Sequence, residues 1–349
     1  GYWLSMSIGP VQGFIAAARR TRDLWYGSWL LSEVSKAAVC ELHKSGVSIV
    51  MPGIASAVDL EPGSDLIVTN KLLALVPVGM DPEGAFVRAK KAARERFLRE
   101  ADLVLQPIRR YVNEERWQNQ IEDFLEIYGA WAPNTGIESR RLVEQLLSGR
   151  KALRDFSPGY GEARVPKSSL DGLRESVLRV STRALSANDL RRLDLKEAEQ
   201  LDAIGFIKRL GQGRQQYPSI ARMAADPWLR LLSRDTTRAR EFADLKEAAS
   251  QCPDLALLRG SQFSHFPFDA TICYPSRLEE LFPGEEQRQA RKRVAGILES
   301  ICYKPSPYMA VLAADGDKMG AIIDSLESTE EINALSMALS RFAEDAKLI

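Results

Sequence analysis

The sequence has 349 residues, 45% of them hydrophobic and 27% charged, which is enough for a sizeable core and excludes wholesale disorder. Lys plus Arg and Asp plus Glu are 47 each, so binding nucleic acid through overall basicity is excluded, while a local basic face is not. Four scattered cysteines without CxxC spacing (Cys40, Cys252, Cys273, Cys302) and two lone histidines (His43, His265) argue against a disulfide framework, a structural zinc site and a multi-histidine metal centre.

No apolar run approaches membrane-spanning length and no signal peptide is visible, so a cytoplasmic chain is expected. At roughly 100–200 residues per domain the length suggests two or three domains. Leu4, Met6 and Ile8 alternate with Ser5 and Ser7, which predicts a short half-buried strand broken by Gly9-Pro10. A long helical stretch follows over 11–43, with an interruption expected near Gly27; Leu24, Leu31, Val34, Ala38 and Leu42 recur on one face, and Gly46 reads as its stop. Strands are expected at 47–51 and 72–78. Asp81-Pro82-Glu83 opens a helix running to about Leu105, and 124–132 forms a last strand before Pro133. The order β-α-β-β-α-(α)-β fits an α+β fold with an antiparallel sheet and helices on one face, the ferredoxin-like split βαβ.

From Gly136 to about Ser300 the pattern is mostly helical with polar loops. Between Arg140 and Arg214 there are 16 Lys/Arg against 10 Asp/Glu, which reads either as a solvated helical surface or as a face for an RNA backbone. Lone cysteines and Asp226-Pro227-Trp228 read as packing residues. The basic, aromatic stretch 17–25 reads as an ordinary helix with Trp25 in the core and solvated arginines, or as a surface that stacks a base against phosphates. A third region begins at Pro305: an apolar run of strand length over 308–314, then Asp315-Gly316-Asp317-Lys318-Met319-Gly320, then helical stretches at 321–326 and 332–349. It holds eight acids and three bases and is too short to bury a core alone.

Asp315 and Asp317, at i and i+2 of a strand end, could converge on one point. Two close carboxylates repel unless a cation or proton lies between them, and Mg²⁺ suits hard oxygen ligands. Gly316 could bring its carbonyl to a metal or phosphate, and the helix start at Lys318, Met319 and Gly320 offers N–H groups to a phosphate. With 20 Asp in 349 residues an Asp-x-Asp triplet is expected about once by chance, so a capped surface turn is the competing reading. The first strand ends similarly in Ser7-Ile8-Gly9-Pro10-Val11-Gln12. Matched to the second turn, Ser7 meets Asp315, Gly9 meets Asp317 and Val11 meets Met319, as in a duplication whose first copy has lost its carboxylates.

Seven segments carry a family resemblance: SIGPVQGFIAAARRTRDLWYGSWLLSEVSKA (7–37), NKLLALVP (70–77), GRKALRDFSP (149–158), PKSSLDGLRESVL (166–178), EQLDAIGFIKRLG (199–211), YPSIARMAADPWL (217–229) and YMAVLAADGDKMG (308–320). In order along the chain they resemble the large, polymerase/cyclase-like palm-domain subunit of type III-B CRISPR effector (Cmr) complexes.

The resemblance implies a first palm (nucleotidyl cyclase-like) domain at 1–145, a mostly helical middle domain at 146–304 and the opening of a second palm at 305–349. It further implies an antiviral, RNA-guided complex with other Cmr subunits, guide RNA and target RNA. ATP would bind between the palms, and cyclic oligoadenylate would form by metal-dependent nucleotidyl transfer once target RNA binds. Asp315 and Asp317 would be catalytic and, with Gly316, would hold Mg²⁺ or Mn²⁺. Ser7, Gly9, Gln12, Gly316, Lys318, Met319 and Gly320 would bind nucleotide, Ser7 contacting the acceptor without a metal.

This sequence departs from the family pattern in three ways. No Gly-Gly-Asp-Asp occurs, an HD nuclease domain is missing, and Pro166–Asp171 stands where relatives carry zinc-binding cysteines, so zinc is not expected. The chain therefore reads as part of a longer protein and inactive alone. A non-catalytic scaffold, with nucleotide as regulatory ligand, is the alternative.

Overall fold

The computed structural model describes residues 1–153, 161–211, 218–253, 255–258, 260–311 and 316–346. The chain forms two compact units, one of Gly1–Arg19, Asp23–Arg214 and Gly316–Ile349, the other of Arg20–Arg22 and Gln215–Asp315.

The first unit is built on a four-stranded antiparallel sheet of β1 (Tyr2–Gly9), β2 (Ser48–Met51), β3 (Lys71–Val76) and β4 (Glu126–Pro133), in the order β2-β3-β1-β4. This is the strand order of a split βαβ. The period of two sends Leu4, Met6 and Ile8 into one core with helices α2 (Thr21–Lys44) and α3 (Pro82–Ile108). Asp81 caps α3 by accepting from the Glu83 and Gly84 N–H groups at 3.2 and 2.8 Å, with Pro82 at the first helical position. Ala85, Ala89 and Ala93, each buried, let α3 lie close to the sheet. Gly129 of β4 is required there, because a Cβ would come within 2.4 Å of the Phe86 ring.

The other face of the sheet is covered too, which differs from the expected single layer of helices. Trp3, Leu73, Tyr128, Ala130 and Ala132 pack with Val143 and Leu147 of α5 (Glu138–Ala152) and with Ile332 of α13 (Thr329–Asp345). All of Trp3–Ile8 is therefore buried, Ser5 included, and β1 is not half-buried. Small serines on this face leave room for a helix where larger polar groups would need water. The hydroxyl of Ser5 is satisfied by the Leu72 carbonyl at 3.4 Å.

The long first helix is in fact two, α1 (Gln12–Ala16) and α2, separated at 17–20 rather than at Gly27, which lies buried inside α2 against Phe14. Leu31, Val34, Ala38 and Leu42 face the core as expected, whereas Leu24 and Trp25 are exposed, Trp25 at 49%. Asp23 is the residue of this stretch that goes inside. The unit continues with α4 (Glu114–Glu122), α6 (Ala187–Leu193) and α7 (Ala203–Leu210).

The second unit is helical, with α8 (Ile220–Arg234), α9 (Ala239–Ser250), α10 (Leu278–Leu281) and α11 (Arg288–Ser300) around a separate core. Trp228 is a packing residue, as expected, its indole donating to the Tyr303 carbonyl at 2.9 Å. Cys252 and Cys273 are buried, and burial pushes the Cys273 thiol up beyond the usual thiol range. The strand expected over 308–314 is not formed in its described part: residues 308–311 lie outside any strand, with Tyr308 82% and Val311 81% exposed. An apolar run becomes a strand only where neighbouring strands take up its backbone groups.

Candidate functional site

The two turns singled out by sequence are the one after β1 and the one before α12 (Met319–Ser325). In the first, Ser7 is only 6% exposed and stands opposite Lys71 on β3 and Tyr128 on β4. The Arg150 guanidinium at the end of α5 lies 5.2 Å from the Tyr128 ring centre, and Lys71 Nζ pairs with Glu144 Oε2 at 3.1 Å. Gly9 pairs with Glu126, and Gln12 is exposed as the first residue of α1.

This turn is fastened from beneath by α7. Lys208 Nζ donates to the Phe14 and Ala17 carbonyls and lies 4.9 Å from the Phe14 ring centre, and burial pushes its amine down to about 8. The neighbouring Arg209, wholly buried, bonds Asp23 through Nε at 2.8 Å and Nη2 at 3.0 Å, and Glu199 Oε1 at 3.0 Å. Burial works against its charge, but the hydrogen bonds and charges of Asp23 and Glu199 hold the guanidinium above its ordinary range. Part of the basic excess of 140–214 is therefore internal. Arg140, Lys208 and Arg209 are buried, and these three neither coat a solvated surface nor face a phosphate backbone.

In the second turn Asp315 lies outside the described residues. Gly316 and Asp317 are exposed, Lys318 takes a left-handed conformation with φ 52°, Met319 is half-buried and Gly320 exposed. A Cβ on Gly316 would come within 2.7 Å of Met319 Cγ, so the turn is tight at that point. The α12 helix is held by Arg140, whose Nη2 donates to Asp324 Oδ1 at 2.8 Å and to the Ile323 carbonyl at 3.2 Å. Arg140 belongs to the first turn of α5, just after β4 ends at Pro133, while Ser7 and Gly9 pair with the opposite end of β4.

Among the described residues no three His, Cys, Asp or Glu side chains gather as a metal site. The described part of the acidic turn offers one carboxylate, Asp317, and the Gly316 carbonyl, which is short of the oxygen set that a divalent cation needs.

Asp23, Asp202, Lys208 and Arg209 were not singled out by sequence, because their partners lie up to 194 positions away. The one local signal was the acid placed between Arg22 and Leu24 inside an otherwise basic stretch.

Residues 3–122 match the family described as CRISPR-associated protein Cmr2, N-terminal. Over those residues the chain is similar to the N-terminal part of that family. That segment contains β1, its turn, α2, β2, β3 and α3. The fold is also similar to a chain of a type III-B Cmr-beta complex solved by cryo-EM in the apo state, with 16% identity, a TM-score of 0.52, and coverage of 88% of this chain and 43% of that one. A second similar structure is of a type III-B Cmr-beta complex bound to cognate target RNA, with 14% identity, a TM-score of 0.54, and coverage of 88% and 44%. The chain thus spans less than half the length of either solved chain. No curated protein matches the sequence. No described helix is long and apolar enough to cross a membrane.

Proposed function

We propose that this chain forms part of the large subunit of an RNA-guided type III-B CRISPR antiviral complex, and that the complete protein binds ATP and makes cyclic oligoadenylate. The observation that carries this reading is the Cmr2 match over 3–122, which spans the β1 turn on the central strand of the sheet.

On this reading the sheet belongs to a first palm domain, and the segment from 305 opens a second. Ser7, Gly9 and Gln12 would orient the acceptor nucleotide through hydroxyl, backbone and amide groups. Lys318, Met319 and Gly320 would approach the triphosphate. Asp315 and Asp317, with the Gly316 carbonyl, would hold Mg²⁺ or Mn²⁺ together with groups beyond the described set; such an ion neutralises charge on a transferring phosphoryl group. The reaction joins a 3′-oxygen to an α-phosphorus as pyrophosphate leaves. The partners would be the other Cmr subunits, guide RNA and target RNA.

The test uses the complete protein assembled with its partner subunits, guide and target RNA. Replacing Asp315 and Asp317 together by Asn keeps shape and removes charge. Incorporation of labelled ATP into oligoadenylate should fall by orders of magnitude while assembly survives, and unchanged synthesis refutes the assignment. A scaffold role, with nucleotide as regulatory ligand only, is the second reading, and it draws on one observation: Ser7 is 6% exposed, so its hydroxyl offers little surface to an acceptor nucleotide. A wild-type assembly that binds target RNA and incorporates no ATP would select that reading.

A further inference from the structure

A cavity of about 200 Å³ opens beside α1, and all its walls come from the first unit: α1, the start of β4, the 170–174 loop and α7. Its lining includes Phe14 and Phe124, which meet edge to face with ring centres 5.0 Å apart. Arg174 holds its guanidinium 5.6 Å from the Phe124 ring centre and makes no side-chain hydrogen bond or ion pair among the described residues.

Asp202 also lines the cavity, only 2% exposed. Its Oδ1 accepts from the Gly205 N–H at 2.9 Å, capping α7, and from the Ser168 hydroxyl at 3.1 Å, while Oδ2 accepts from nothing among the described residues. Lys208 is a further lining residue, but its ammonium is committed to the Phe14 and Ala17 carbonyls.

The second carboxylate oxygen takes no protein donor, and it belongs to a residue that lines the same cavity as a guanidinium with no protein hydrogen bond, so the cavity offers one acceptor group and one donor group to a ligand. A ligand that completes both must be flat enough for the aromatic wall, and it must carry N–H donors on one edge and acceptors on the next. Guanine does so: N1–H and the 2-amino group suit a carboxylate, and O6 and N7 suit arginine. Adenine has no ring N–H beside its amino group, and it presents a donor where guanine presents O6. A cavity of roughly 150 Å³ admits benzene, so about 200 Å³ takes a bicyclic base and leaves the ribose outside.

We propose that this cavity binds a guanine base, with Asp202 accepting from its N1–H and 2-amino edge and Arg174 donating to O6 and N7. The base could belong to a free nucleotide or to an unstacked residue of single-stranded RNA, and the chemistry is the same. The proposal uses another base and other polar residues than the ATP reading, although Pro10 and Gly13 in the cavity lining adjoin Gly9 and Gln12 of the β1 turn.

Calorimetric titration of the full chain with guanosine monophosphate and adenosine monophosphate tests it. The guanine nucleotide should bind at least tenfold more tightly. Asp202→Asn, which keeps the cap on α7, should weaken it by roughly ten- to hundredfold. Arg174→Gln, which leaves the cap untouched, should weaken it too, and it carries the test if the first variant unfolds. A uridine octamer with one central guanosine, compared with the same octamer carrying adenosine, distinguishes the source. Binding of the guanosine octamer more than tenfold tighter than the mononucleotide assigns the site to RNA, and equal binding assigns it to the free nucleotide. No binding of any guanine probe, equal affinity for the two mononucleotides, or wild-type binding by Arg174→Gln overturns the proposal.

Discussion

At the turn after β1, the preceding Met6 and Ile8 are buried in the core, Ser7 is closed in by β3 and β4, and Lys208 grips the following helix by two carbonyls. At the turn before α12, the preceding Tyr308 and Val311 are exposed, Asp317 is exposed, and the following helix has no buried residue. The sequence pattern is common to both: an apolar run, a glycine, a helix. The first run has a strand on either side to take its backbone groups, and the second has none among the described residues. A turn holds side chains at fixed distances only when its strand is paired and its helix packed, since backbone freedom costs about 1–2 kcal/mol per residue to remove. Chemistry that needs two carboxylates at one point is therefore not preorganised by the described part of the second turn alone.

The contrast can be broken most directly at Arg209. Arg209→Ala leaves Asp23 and Glu199 buried without their cation and should cost about 3–5 kcal/mol, read from urea unfolding of the first unit. A loss under about 1 kcal/mol would mean that the first turn is not fastened there.

The pH dependence of Lys208 comes next. Burial pushes its amine down to about 8 from the 10.5 of an ordinary lysine. Between those values the unfolded chain holds the proton that the folded chain has lost, so this group makes stability rise with pH across about 8 to 10.5. The full rise is on the order of 3 kcal/mol. A Lys208→Met variant should lack it, and parallel stability curves for the two proteins over that window would contradict the assignment.

Matched truncations sharpen the comparison further. Ile8→Val removes a methyl from a buried strand and should cost about 0.5–1.5 kcal/mol. Ile322→Val, on the exposed α12, should fall within about 0.5 kcal/mol of wild type. Equal costs in thermal unfolding would show the second turn to be as tightly packed as the first. A small effect also belongs to Asp324→Asn. Asp324 is 53% exposed, so its pair with Arg140 should contribute about 1 kcal/mol or less. Hydrogen exchange should nonetheless speed up over 316–326 and stay unchanged in β1.

Much of the sheet was legible because it depends on local signals. Alternation marked β1, and Asp81-Pro82 marked the start of α3 to the residue. The strand order followed from the succession of elements, since a split βαβ is what such an order forms around one apolar face. The second layer was not legible. Ser5 and Ser7 signal a polar face, yet α5 and α13 cover it, because small hydroxyls tolerate a helix when a carbonyl accepts from them.

What the sequence determined by itself is the backbone state of most segments and the apolar face each one presents, since both depend on neighbours within one or two helical turns or a few strand residues. Only the tertiary structure decided which charges go inside and whom they meet. Asp23 finds Arg209 at 186 positions' distance, and Lys208 finds Phe14 at 194. Asp202 caps α7 and lines a cavity that no local pattern announces. Burying a charge is tolerable only beside a partner of the right geometry. That partner is set by the path of the whole chain, not by the spacing of residues along it.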